Sequence, residues 1–203
     1  NSESTRAALI EAAKKIFALK GYSGATVKEL ADEAGVNISL VSYHFDGKLG
    51  LYRACFAEFG NRRLAAAERL LQGPEGAEDF RLRISMYVEE IFRCHIEEPE
   101  VTSIVHRECE IQDSIVQDIF RDTFLRSFEL LITFMKNAQK KKVVIPGLDP
   151  QIMSTMLFSA VMHTAKSDAI NKRYFNQSIH DVKYRKKVSE QILKMFLGGV
   201  SAK

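Results

Sequence analysis

The chain has 203 residues, 46% of them hydrophobic, with 29 Lys and Arg against 26 Asp and Glu and a formal net charge of +3. That apolar share excludes an intrinsically disordered chain and is enough for a sizeable core. The charge does not mark a polybasic arm: residues 1–50 hold six basic and six acidic side chains, so any contact with nucleic acid must come from geometry as much as from bulk charge.

Helical periodicity runs through the chain. Leu9, Ala12, Ala13, Ile16 and Phe17 form one apolar stripe, and Gly21 stops that helix. Thr26 and Glu29 have the spacing of a capping box at the start of a short second helix, with Val27, Leu30, Ala31 and Ala34 facing inward and Gly35 at its end. Asn37 is placed to cap a third helix over about 38–44, with Val41 and Phe45 on its buried side. Asp46 is placed to cap a fourth, whose inner face is Tyr52, Cys55, Phe56 and Phe59 and which ends before Gly73-Pro74-Glu75-Gly76.

Phe80, Ile84, Val88, Ile91 and Phe92 predict a helix ending before Pro99, and residues 115–135 predict a long one. Asp149-Pro150 is a start signal, a cap followed by Pro at the first helical position. The helix it opens carries Met153, Met156, Leu157, Ala160, Val161 and Thr164. A basic, polar stretch over 172–187 leads to a last helix, 188–200, with Val188, Ile192, Met195 and Phe196 inside. There is no alternating strand pattern, repeat or low-complexity tract.

Two short helices joined by Ala34-Gly35-Val36-Asn37 make the core of a helix-turn-helix. Gly35 permits the positive φ such a turn needs, and Val36 and Val41 can pack on Leu30 and Ala31. The second of the two helices would enter the major groove, anchored by Val41 and Phe45 and presenting Ser39, Leu40, Ser42, Tyr43 and His44.

The segment ATVKELADEAGVNISLVSYHFDGKLGLY, from Ala25 to Tyr52, resembles the DNA-binding region of the tetracycline-repressor (TetR) family, and Phe17 and Gly21 before it fit the same pattern. The resemblance covers about the first 55 residues. It implies phosphate contacts from Thr26, Tyr43 and Lys48, which set register without reading sequence. Base contacts are then expected from Ser39, Leu40, Ser42 and His44; serine bonds either kind of base edge, and leucine touches a thymine methyl. The chain departs from many family members in having Ser42 where they carry an aromatic residue. Its recognition helix also lacks Arg and Lys, so no bidentate guanine contact is available from it.

The resemblance further implies that the C-terminal helices dimerise and enclose an effector pocket. The uncharged helix over 150–165 and the last helix are expected to form the homodimer interface, although ordinary intrachain core is the plainer role for them. Phe92, His95, His106, Phe120, Phe124, Phe128 and His163 are the candidate pocket residues, each also readable as core or surface. Such a lining would suit a small hydrophobic or aromatic effector. Cys94-His95 and His106-x-x-Cys109 invite a zinc site, but buried cysteine packing is the better account, and no metal or cofactor is expected. Lys140-Lys141-Lys142 and the 172–187 stretch read as solvated surface.

No GxSxG, HExxH, phosphate loop or dinucleotide fingerprint is present, so no enzyme is expected. Three cysteines, Cys55, Cys94 and Cys109, do not make a disulfide framework. With no signal-like opening and no apolar run long enough to span a bilayer, a cytoplasmic location without membrane contact is expected. The sequence therefore predicts an all-α chain of about nine helices. A three-helix DNA-binding domain over 1–47 would be followed by a connecting helix and an effector-binding and dimerisation domain over 48–203. Its partner would be double-stranded operator DNA, and its function ligand-released repression or, as the alternative, regulation or adaptor binding without an effector.

Overall fold

The computed structural model of the chain describes residues 2–200, and among them there are helices and connections but no strand. Helix α1 (Ser2–Gly24) is interrupted at Gly21, whose φ of 71° and ψ of 175° leave the helix. Then come α2 (Val27–Ala34), α3 (Ser39–Phe45), α4 (Lys48–Leu70), α5 (Ala77–Glu97) and α6 (Pro99–Cys109). A continuous helical run follows, made of α7 (Gln117–Phe120), a π-helical turn (Arg121–Leu125) and α8 (Arg126–Lys140). The chain closes with α9 (Pro150–Lys166), α10 (Asp168–Phe175) and α11 (Val182–Val200).

The start and stop chemistry explains most of these boundaries. Thr26 caps α2 with both halves of the capping box formed, and Gly35 ends it in the left-handed region at φ 67°. Asp149 accepts from the backbone N–H groups of Gln151 and Ile152, with Pro150 opening α9. Asp46 does not cap α4 as its position suggested. It closes α3 in the left-handed conformation at φ 57°, donating its N–H to the Ser42 carbonyl, and the first turn of α4 bonds back to Gly47.

The chain folds as two compact units. One comprises residues up to Arg63 together with Glu98–Leu125; the other comprises Leu64–Glu97 and the residues from Arg126 onward. The first unit has a core of Leu9, Ala13, Phe17, Leu30, Val41, Phe45, Leu51, Tyr52 and Phe56, joined by Ile104 and Val116. Tyr52 stands edge-on to Phe17 at 4.7 Å and beside Phe56 at 5.3 Å. This packing does not follow the boundary expected at residue 47, because α4 supplies core residues to α1–α3 and a segment a hundred residues downstream completes the same core.

Polar ties hold that segment in place. Arg107 donates to the carbonyls of Phe17 and Ala18 near the kink of α1, at 2.8 and 3.4 Å. The buried Glu108 accepts from Tyr52 Oη and Ser114 Oγ, both at 2.5 Å. Burial and this carboxylate together push the Tyr52 hydroxyl above its ordinary range. Arg53 grips Asp118 through two bonds and also reaches the Ile115 carbonyl. Glu98 faces Lys14 and Arg62. The π-helical turn meets α4 at Gly60, where an added Cβ would run into Thr123 Oγ1 and come within 2.8 Å of its Cβ.

The second unit is built on Phe80, Ile84, Val88, Phe92, Leu131, Phe134, Met135, Met153, Leu157 and Val161, with Phe80 and Phe134 stacked at 5.4 Å. Val188, Ile192 and Phe196 of α11 pack against this core from outside. The last helix starts six residues before the expected Val188, at Val182, and the 172–187 stretch holds the second half of α10 as well. The helix expected over 115–135 forms with a π-helical turn inside it, and with α7 through α8 counted as one there are ten helices among the described residues against about nine expected.

The Glu108 node yields a stability test. Tyr52→Phe keeps the ring packing but removes one of two hydroxyl donors from a buried carboxylate, and is expected to cost about 1–3 kcal/mol. A lowered urea midpoint with an unchanged m-value is the readout; an unchanged midpoint contradicts the assignment.

Candidate nucleic-acid interface

Helix α3 has two faces. Val41 and Phe45 are buried in the first core, and Arg6 of α1 lies over the Phe45 ring at 5.3 Å. Ser39, Ser42 and Tyr43 are exposed, with Tyr43 at 76%, while Leu40 and His44 are half-buried. His44 stands edge-on to Tyr43 at 4.9 Å and 6.2 Å from Phe45, so it links the outer ring to the anchored side. A polar, neutral surface of serines and a phenol is thus held out to solvent by two apolar anchors, as a groove-reading helix requires.

The first turn of α3 is organised by Asn37. Its Oδ1 accepts the Ser39 N–H at 2.9 Å and the Ser39 hydroxyl at 2.8 Å. At α2, the exposed Thr26 hydroxyl donates to Glu29 Oε2 at 2.9 Å and accepts from the Glu29 N–H at 3.2 Å. Lys20 pairs with the same carboxylate, and its hydrogen bond, with those of Thr26, holds Glu29 down to about 2. An anion already occupies the start of α2, so a phosphate arriving there would have to share Thr26 with Glu29.

Lys48 is tied down more firmly than a free surface charge. Its ammonium donates to the carbonyls of Tyr22 and Ala25 at 3.0 and 2.9 Å and sits 4.4 Å from the centre of the Tyr22 ring. Two of its three protons therefore brace the junction of α1 and α2, leaving one for an outside acceptor. The sequence marked Lys48 but not this bracing, because its partners are backbone carbonyls and carry no side-chain signal.

The expected pocket residues are divided between the two units. His106, Phe120 and Phe124 belong to the first unit, and Phe92, His95, Phe128 and His163 to the second. Phe92 is fully buried core, and Phe120 stacks on Phe124 at 5.6 Å. Phe128 meets Phe158 edge-on at 5.7 Å, both half-buried. His163 is exposed on α9. His95 is half-buried, its Nδ1 2.8 Å from the Ile91 carbonyl, and burial lowers its pKa.

The second unit has instead a groove of about 400 Å³ lined by Arg69, Leu70, Met86, Glu89, Glu90, Arg93, Ile96, Glu97 and Arg185. None of these was singled out from sequence, although Glu90, Arg93 and Glu97 stand at the i, i+3 and i+4 spacings of helical ion pairs and do pair. Cys94 lies in the second unit and His106 and Cys109 in the first. Among the described residues, no group of three or more His, Cys, Asp or Glu is placed to hold a metal ion. Also among them, no helix is long and apolar enough to cross a membrane.

Residues 9–55 match the family model described as bacterial regulatory proteins, tetR family. The Bacillus subtilis (strain 168) protein named "Probable HTH-type transcriptional regulator YttP" is 24% identical over 172 residues, covering 76% of this chain and 83% of that protein. The Brucella suis biovar 1 (strain 1330) HTH-type transcriptional repressor BepR is 27% identical over 143 residues, 68% of this chain and 67% of BepR. In fold, the chain is similar to the transcriptional regulator FadR from Bacillus subtilis in complex with stearoyl-CoA. The TM-score is 0.71 at 18% identity, over 95% of this chain and 97% of that one. With its helix-turn-helix geometry and this match, residues 9–55 form a DNA-binding region of the type described as bacterial regulatory proteins, tetR family, and the chain is a DNA-binding transcriptional regulator.

Proposed function

We propose that the chain acts in the cytoplasm as a two-fold dimer on operator DNA and represses transcription until a small apolar effector binds its second unit. The observation that carries the DNA reading is the outward face of α3, with Ser39, Ser42 and Tyr43 exposed over the buried Val41 and Phe45. Ser39, Leu40, Ser42 and His44 address base edges; Tyr43, Thr26 and the remaining Lys48 proton address phosphates. One short helix reads only a half-site, so a two-fold pair doubles the contacts.

The proposed dimer face is α9 with α11. On α9, Ile152 and Met156 are 61% and 66% exposed, next to the exposed Ser159 and Ala160; on α11, Met195 is 79% exposed. The α9 part of this face is uncharged, with large side chains beside small ones, which suits helix packing between copies.

Repression is supported by BepR, whose name is that of a repressor. The effector class is supported by the stearoyl-CoA of the similarly folded FadR and by the second unit itself. Its groove sets the apolar Leu70, Met86 and Ile96 among three arginines and three glutamates, with Arg93 paired to Glu90 and Glu97 and Arg185 to Glu89, a lining whose apolar part suits a hydrocarbon chain and whose charges are balanced. Phe128 and Phe158 offer further half-buried aromatic surface in the same unit. An effector of this kind shifts the protein only by its difference in affinity between the DNA-binding and released forms. Helix α4, which begins at Lys48 and runs from the first unit into the second, is the proposed carrier of that shift.

A gel shift and footprint on DNA flanking the protein's own gene tests the central reading. The expected result is a protected two-fold site, released by long-chain acyl-CoA but not by coenzyme A alone. No selective protection at low salt overturns the DNA reading; protection that no acyl-CoA relieves overturns this effector class.

Lys48→Met is expected to weaken binding to all sequences alike and to flatten the salt dependence by about 0.9 in log–log slope per subunit. An unchanged slope would restrict Lys48 to its bracing role.

Met156→Glu is expected to give a monomer by analytical ultracentrifugation, with helical content retained and operator affinity lost. A dimer that persists would move the interface elsewhere.

A further inference from the structure

Ser39 and Ser42 are both exposed on α3, one turn apart, yet their hydroxyls are in different states. A hydroxyl has one proton to give and two lone pairs with which to accept. The Ser39 proton is directed to Asn37 Oδ1 at 2.8 Å, and the same oxygen accepts the Ser39 N–H at 2.9 Å. That N–H is one of the donors a helix start leaves unsatisfied, so Asn37 is held to Ser39 through the backbone as well as through the side chain. For Ser42, one turn on, no such side-chain bond is seen among the described residues.

With its proton occupied, Ser39 Oγ can offer an approaching base only its lone pairs. In the major groove an acceptor finds a partner in the exocyclic amine of adenine or cytosine. Guanine and thymine present acceptors of their own there, which a lone pair repels. Asn37 thereby converts a side chain that would tolerate every base into one that discriminates between amino- and keto-bearing bases. The recognition helix carries no Arg or Lys to specify guanine, so a discrimination of this kind weighs more here than it would beside a bidentate arginine.

We propose that Asn37 is a positioning residue for operator recognition: by holding the Ser39 proton it makes Ser39 select adenine or cytosine on the strand it faces in each half-site. This inference deepens the reading of α3 as the recognition helix and rests on it.

The test is a competition gel shift with the intact protein. The two symmetry-related positions nearest Ser39 in the footprinted operator are set in turn to A, C, G and T. Wild type is expected to favour A or C over G or T by about fivefold, the scale of one net hydrogen bond. Asn37→Ala frees the Ser39 proton and is expected to level that preference while leaving those at other positions intact, a change that mere loosening of α3 would not produce. Asn37→Asp keeps the acceptor oxygen and is expected to keep the preference, with affinity lowered for all sequences by its charge. Ser39→Ala is expected to lose the preference altogether.

A preference that survives Asn37→Ala, or a wild-type preference for G or T, overturns the role of Asn37 while leaving α3 as the reader. Absence of any sequence-selective binding by wild type overturns the recognition-helix reading and this inference with it.

Discussion

A helix of seven residues cannot hold itself together in water. Its first turn fixes several backbone dihedrals for a single hydrogen bond, and so short a segment never recovers that cost by propagation. Helix α3 is of this length, and burial has to supply the difference. Val41 is completely buried and Phe45 almost so; together they contribute roughly 3–6 kcal/mol at 1.5–3 kcal/mol each. Asn37 at one end and the left-handed Asp46 at the other satisfy backbone groups that the short helix leaves open. Every exposed polar group on its outer face depends on this anchoring, because a reading surface that frays cannot hold a register.

The platform beneath α3 is not made by the helix-turn-helix alone. Its floor is α1 and the first part of α4, and its far side is the segment from Glu98 to Leu125. Of the polar ties that fasten this segment, the exposed Arg53–Asp118 pair is worth at most about 1 kcal/mol. The node at Glu108 weighs more, since a buried carboxylate deprived of donors carries its full desolvation penalty. Arg107 acts on the same segment by satisfying carbonyls of α1 close to the Gly21 kink. Two neighbouring side chains, Arg107 and Glu108, thus add polar ties to a distant stretch that Ile104 and Val116 already seat in the core.

Local signals were the legible ones. The capping box at Thr26 and Glu29, the left-handed Gly35, the inward Val41 and Phe45 and the Asp149-Pro150 start all follow from spacing within a few residues, and all appear in the fold. What could not be read was long-range. That Ile104 and Val116 complete the core of α1–α3 leaves no trace in periodicity, since an apolar stripe states that a face is buried and not what buries it. Asp46 was misassigned because a cap for the next helix and a left-handed end for the previous one use the same residue types. In the candidate site, exposure of Ser39, Ser42 and Tyr43 was foreseeable from pattern; the bonds that commit the Ser39, Thr26 and Lys48 protons were not. The pocket was the least legible part, because aromatic residues spread along a helical chain serve cores first, as Phe92 does.

The close approach of Gly60 to Thr123 fixes more than one position. Successive residues of an α-helix are rotated by about 100°. One residue gained or lost between Lys48 and Gly60 would therefore swing the glycine away and bring Phe59 or Asn61 round to the π-helical turn, where even a methyl group does not fit. The twelve-residue interval is a ruler. Drift in chain length can be absorbed in connections such as Gly73-Pro74-Glu75-Gly76, but the first half of α4 has to be inherited at constant length, whatever becomes of its surface.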